Sequence, residues 1–122
     1  MYKICAISDF SAAHMLRGYK GKCENMHGHN WKVEVFVSAK ELDEIGMVID
    51  FKEIKKALNA VLEELDHKNL NETAYFKKVN PTSENIAKYI YDRLFAQQLA
   101  ADGRRLKVKV WESDTACAIY EE

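Results

Sequence analysis

An α+β fold is predicted by three features of this 122-residue sequence. Residues 29–38 and 106–112 alternate apolar and polar side chains, the period of strands with one buried face. Residues 51–65, and a second stretch opening near Asn80-Pro81-Thr82, carry apolar residues at helical spacing instead. The third feature is the order: strand, strand, helix, helix, strand, strand. Short connections at both ends favour antiparallel pairing, with both helices laid on the apolar face of the sheet.

Each element carries its own signal. In residues 2–14, Ile4, Ala6, Ser8, Phe10, Ala12 and His14 share one face of a first strand. Residues 15–28 hold Gly18, Gly21 and Gly28 among charged residues and read as a loop. The second strand sets Trp31, Val33, Val35 and Val37 against Lys32, Glu34, Phe36 and Ser38. The first helix has a stripe of Phe51, Ile54, Leu58, Val61, Leu62 and Leu65, with Asp50 as N-cap and Glu53 placed as in a capping box. Pro81 suits the first turn of the second helix, whose stripe is Ile86, Tyr89, Ile90 and Leu94. Asp102-Gly103 breaks the chain. Leu106, Val108, Val110 and Glu112 then share a strand face opposite Lys107, Lys109 and Trp111, and Ser113-Asp114 turns into a last strand at 116–121. The lysines opposite Val108 and Val110 predict that the second sheet face meets water or another polar surface.

Length and composition predict one domain over residues 1–122, with 48% hydrophobic residues for its core. A domain this small gains stability from association. The net charge of −1 argues against a general nucleic-acid or acidic-membrane binder. No apolar run could span a bilayer, and the opening Tyr2-Lys3-Ile4-Cys5 has no apolar signal segment, so the expected compartment is the cytoplasm. Three cysteines, Cys5, Cys23 and Cys117, make an odd count that speaks for thiols rather than a disulfide framework.

The histidines carry the chemistry. His27 and His29 flank Gly28, so in extended backbone both rings point the same way. His14 ends the first strand where the second opens, and antiparallel pairing brings the three together. Three neutral imidazoles suit zinc and leave a fourth position for water or substrate. Cys23, four residues before His27, permits a different reading: a closed, structural four-ligand zinc site in a non-enzymatic domain. The usual structural pattern carries more cysteines, as C-x-x-C, and this chain has none. Alkylation separates the two, because a zinc-bound structural thiolate resists it until the metal is removed.

Asp66-His67 ends the first helix. On its own it reads as a helix-terminal histidine beside a solvated carboxylate. With a free cysteine near a metal, it also reads as a relay in which His67 draws the proton from Cys23. Glu112, at the end of an otherwise apolar strand face, is either a sheet-edge carboxylate reaching water or a buried acceptor for the planar N–H/NH₂ edge of a pterin- or guanine-like ring. Arg17, Lys20, Lys22 and Lys68 could meet a polyphosphate, though charged loop residues are usually only solvated.

Taken in order, Phe10-Ser11-Ala12-Ala13-His14, Cys23-x-x-x-His27-Gly28-His29, Val48-Ile49-Asp50-Phe51, Leu65-Asp66-His67, Pro81-Thr82-Ser83-Glu84-Asn85 and Trp111-Glu112-Ser113 resemble the 6-pyruvoyl-tetrahydropterin synthase superfamily over nearly the whole chain. Only three residues separate Cys23 from His27, which is similar to the bacterial 6-carboxy-5,6,7,8-tetrahydropterin synthase branch; the animal pyruvoyl branch has a longer gap. The resemblance implies the tunnelling fold, a four-stranded antiparallel sheet with two helices between strands two and three. It implies homo-oligomers, trimers stacked into hexamers, with active sites between subunits. It implies Zn²⁺ on His14, His27 and His29, Cys23 as base supported by His67 and Asp66, and Glu112 anchoring the pterin and joining the relay. The implied substrate is 7,8-dihydroneopterin triphosphate, on the route to 7-deazaguanine nucleosides.

Overall fold

The computed structural model describes residues 1–19 and 25–122. Strands β1 (Tyr2–His14) and β2 (His27–Ala39) are followed by helix α1 (Phe51–Glu63), a two-residue strand β3 (Lys68–Asn69), a 3₁₀ turn (Leu70–Glu72), helix α2 (Ser83–Ala96), and strands β4 (Arg105–Ser113) and β5 (Ala116–Glu121). They form one sheet in the order β3-β1-β2-β4-β5. The sheet thus has five strands where the sequence predicts four, and β3 runs parallel to β1, pairing Ala12 with Lys68 and Ala13 with Asn69. Two residues are too few to show a period-2 pattern, so nothing in the local sequence marks this strand. The other pairings are antiparallel, as expected.

The β1–β2 register sets Phe10 opposite Trp31, Ala12 opposite His29, and His14 opposite His27. Their shared face packs under the helices. Trp31, Val33, Val35, Val37, Ile54, Leu58, Ile86, Ile90, Leu94, Val108 and Val110 are fully enclosed. Both helix starts are capped: Asp50 accepts the Lys52 N–H at 2.8 Å, as the sequence suggests, and Thr82 accepts that of Asn85 at 3.1 Å, so α2 opens at Ser83 and Pro81 stands before the cap rather than in the first turn predicted for it. Phe51 departs from its predicted stripe and is half exposed at the first position of α1, where the buried stripe begins only at Ile54. Among the described residues, no helix is long and apolar enough to cross a membrane.

The face turned away from the helices is mixed rather than simply polar. Lys107 lies 4.6 Å from the centre of the Phe36 ring and Lys109 4.5 Å from that of Trp111, so the lysine stems cover aromatic surface. Trp111 Nε1 donates to Glu34 at 3.1 Å.

Candidate metal centre

The β1–β2 ladder ends on the histidines. Since His14, His27 and His29 fall on the core side of neighbouring strand ends, their rings converge, with centroids 4.6–5.3 Å apart. Trp31 forms the floor. It meets His14 at 4.9 Å and His29 at 5.3 Å edge-on, stacks on Phe10, and donates Nε1–H to the Ala12 carbonyl. A floor of this kind restricts the ring rotamers above it.

Hydrogen bonds at the far side of two rings define the chemistry at the near side. His14 Nδ1 lies 2.7 Å from the Pro81 carbonyl, and His27 Nδ1 lies 2.8 Å from the Asn25 carbonyl. A carbonyl only accepts, so both Nδ1 atoms carry the proton and the neutral rings present bare Nε2 lone pairs. Those two Nε2 atoms face each other at 3.1 Å. The His29 Nε2 is buried and, among the described residues, makes no hydrogen bond, although Glu112 Oε1 lies 3.1 Å away. The same carboxylate oxygen is 3.2 Å from His14 Nε2. Lone pairs converging without a proton between them repel, and a cation at their centre removes the repulsion. One donor atom from each of His14, His27, His29 and Glu112 lies within 4.8 Å of the others. The three imidazoles could hold a metal ion, with the Glu112 carboxylate beside it. Burial holds the His29 pKa below its ordinary value; Glu112 opposes the shift, and the His27 and His14 rings reinforce it. The neutral form is the one that ligates.

Glu112 is half-buried where β4 approaches the N-terminus of α2, and its Oε2 accepts from Ser83 Oγ at 3.3 Å. Its carboxylate thus borders the histidine cluster, a closeness that the strand pattern did not indicate. The Asp66-His67 pair sits elsewhere, on the β1 edge of the sheet. His67 adopts φ 57°, in the left-handed region. Its N–H donates to the Ser11 carbonyl, and the Ser11 N–H donates to Asp66 Oδ1 at 2.9 Å. Asp66 Oδ2 lies 3.0 Å from His67 Nδ1, while the His67 ring is 82% exposed. The Ser11 N–H, and beyond it the His67 contact, hold the Asp66 carboxyl below the usual carboxylate range. Among the described residues, no hydrogen bond or ion pair joins this pair to the histidine cluster; His67 and His29 instead border one open depression of about 460 Å³, together with Lys68 and Asn69. Cys23, Lys20 and Lys22 lie outside the described residues. Arg17 turns its guanidinium to the Phe76 carbonyl.

The backbone carbonyls of Pro81 and Asn25, and the hydroxyl of Ser83, escaped sequence reasoning. No side-chain pattern announces a carbonyl acceptor; only the Pro81–Asn85 motif pointed to that neighbourhood.

A family model described as 6-pyruvoyl tetrahydropterin synthase matches residues 3–122. The chain belongs to this family. Members carry both product names. The human 6-pyruvoyl tetrahydrobiopterin synthase is 42% identical over 105 residues, covering 83% of this chain and 71% of the relative. The 6-carboxy-5,6,7,8-tetrahydropterin synthase of Haemophilus influenzae is 32% identical over 145 residues and covers all of both chains. The 6-pyruvoyl tetrahydropterin synthase structure from Caenorhabditis elegans superposes with a TM-score of 0.87 at 31% identity, covering 99% of this chain and 95% of that one. Tetrahydropterin synthases are lyases, so membership places this chain among enzymes that break bonds without hydrolysis or oxidation.

Proposed function

We propose that this chain is a zinc-dependent 6-carboxy-5,6,7,8-tetrahydropterin synthase, acting as one domain over residues 1–122 in the cytoplasm. It would convert 7,8-dihydroneopterin triphosphate and water to 6-carboxy-5,6,7,8-tetrahydropterin, acetaldehyde and triphosphate. The observation that carries the reading is the convergence of bare imidazole nitrogens beside Glu112, together with the short Cys23–His27 spacing that is similar to the carboxy branch. His14, His27 and His29 would hold Zn²⁺, a fit supported by the tautomers their far-side bonds impose. Bound zinc would polarise the oxygens of the substrate side chain and so acidify the adjacent C–H bonds.

The remaining work falls to the chain's own groups. Cys23, as thiolate, would take and return the side-chain protons. His67 would accept the Cys23 proton, and Asp66 would hold the His67 ring by its Nδ1. The His67 side chain is 82% exposed and so open to a neighbouring subunit; the site would lie at the subunit boundaries of a homo-oligomer, trimer or hexamer. Glu112 would accept the N–H and NH₂ groups of the pterin ring and assist proton movement.

Incubation with 7,8-dihydroneopterin triphosphate, with acetaldehyde trapped and pterins identified by mass spectrometry, tests the reading. Carboxypterin with stoichiometric acetaldehyde is expected. A pyruvoyl pterin without acetaldehyde would move the chain to the pyruvoyl branch, which its likeness to the human enzyme favours, and no product would return it to a binding domain.

Glu112→Gln provides a separate check. The amide replaces one acceptor oxygen by a donor, which would leave a ring N–H facing a donor at a cost of about 1–3 kcal/mol. Binding of a pterin analogue should weaken by about tenfold or more, since about 1.4 kcal/mol is a factor of ten. Zinc content should stay unchanged, with Glu121→Gln as the inert control. Unaltered analogue affinity would mean that Glu112 is not a ring anchor, and lost zinc would make its carboxylate a metal ligand.

A further inference from the structure

We infer that Asn80 is a positioning residue for the metal centre, acting through the carbonyl of Pro81; the inference rests on the metal reading of the histidine cluster. The β1–β2 ladder ends at His14, yet the chain beyond it stays tied. The Met15 N–H donates to Asn71 Oδ1 at 2.8 Å, and Asn71 Nδ2 donates to the Met15 carbonyl at 2.9 Å. Two residues on, the Arg17 N–H donates to Asn80 Oδ1 at 2.9 Å, and Asn80 Nδ2 donates to the Arg17 carbonyl at 3.1 Å. A primary amide offers a donor and an acceptor side by side, as a peptide group does. Two asparagine side chains thus stand where the peptide groups of a neighbouring strand would stand, and they extend the hold on β1 past its last backbone pair.

The two clamps differ in what they carry. Asn71 sits in the 3₁₀ turn after β3. Asn80 directly precedes Pro81, whose carbonyl takes the His14 Nδ1 proton at 2.7 Å. Proline has no N–H with which to tie itself to the exit of β1, so the lateral hold on this carbonyl falls to its neighbour. Asn80 holds the other side as well: its own carbonyl accepts from the Thr82 N–H at 2.8 Å and from Asn85 Nδ2 at 2.9 Å, at the start of α2. One residue therefore joins the exit of β1, the acceptor for His14 and the first turn of α2. The position of that acceptor sets the orientation of the His14 ring and the basicity of its Nε2, and loss of such outer support typically costs about 10–100-fold in metal affinity.

The test compares Zn²⁺ affinity, by chelator competition, and the visible spectrum of the Co²⁺-substituted protein across four full-length chains. Asn80→Ala should bind Zn²⁺ about tenfold or more weakly than wild type and shift the Co²⁺ bands. Asn71→Ala removes a clamp of the same chemistry, so it should lower Tm to a similar degree and leave both metal readouts unchanged. Asn80→Asp keeps the acceptor for the Arg17 N–H but sets a carboxylate oxygen against the Arg17 carbonyl in place of the donor, so it should also bind Zn²⁺ more weakly than wild type. Wild-type affinity in Asn80→Ala, or equal losses in Asn80→Ala and Asn71→Ala, would make the clamp purely structural and overturn the inference. Should Asn80→Ala not fold, wild-type affinity in Asn80→Asp overturns it equally. A wild-type protein that takes up neither metal would overturn the metal reading itself, and this inference with it.

Discussion

His27→Ala and His29→Ala are each expected to abolish stoichiometric zinc binding while leaving the fold intact. Both rings are only half-buried at the end of the sheet, and their replacement removes a ligand without opening the core. His14→Ala should also lose zinc, but its ring is 1% exposed and bonded to Pro81, so that variant loses stability as well. The half-buried pair gives the cleaner measurement. Each loss should exceed the roughly 10–100-fold typical of outer-shell changes, because a direct ligand is removed. Metal analysis after dialysis against a weak chelator, with circular dichroism as the fold control, reads the result. Cys23→Ala should keep its zinc. Loss of zinc from a folded Cys23→Ala protein would favour the closed four-ligand site, and full zinc in both His27→Ala and His29→Ala would remove the metal centre.

Cys23→Ala should abolish turnover, and loss of His67 should impair it severely. General acid–base groups typically contribute about 10²–10⁴-fold, so a fall of at least two orders of magnitude in kcat is expected for His67. The backbone decides which substitution measures the ring. At φ 57°, His67→Ala adds left-handed strain, whereas Asn tolerates that region. His67→Asn therefore removes the imidazole with less disturbance, and it should be as inactive as His67→Ala. The ring is so exposed that neither variant should unfold. Cys5→Ala and Cys117→Ala serve as controls and should turn over near normally. Burial, with the Glu34 carboxylate, pushes the Cys5 thiol above its ordinary pKa, which disfavours the reactive thiolate. Turnover at the wild-type rate in Cys23→Ala would sink the proposed proton chemistry.

Much of this molecule was legible in one dimension because its long elements have clean periods. Strict alternation through Trp31–Val37 and Leu106–Val110 fixes which residues face the helices, and a period of two leaves no freedom to slip by one residue without exposing the core. The same period carries His14, His27 and His29 to one side of adjacent strand ends, so the histidine cluster follows from spacing once the strands pair. Asp50 could be read as a cap because its chemistry is local. Phe51 could not be placed, since periodicity tells which side of a helix a residue occupies and not how far along the helix that side is buried.

What the sequence determined, then, is what periodicity and local chemistry carry: the α+β order, the faces of the long strands, the start of α1 and the placing of three histidines at neighbouring strand ends. Only the tertiary structure decided the rest. It turned the chain at His67 into a left-handed residue and laid β3 beside β1. It set the Glu112 carboxylate against the histidines and put the Asp66-His67 pair on an open sheet edge. It also chose backbone carbonyls, at Pro81 and Asn25, to fix the tautomers of two rings. There are two physical reasons. The Glu112 and Pro81 contacts with the histidines, and β3 with β1, are meetings between segments tens of residues apart. The Pro81 and Asn25 acceptors are backbone carbonyls, and a group present at every position leaves no mark in the sequence.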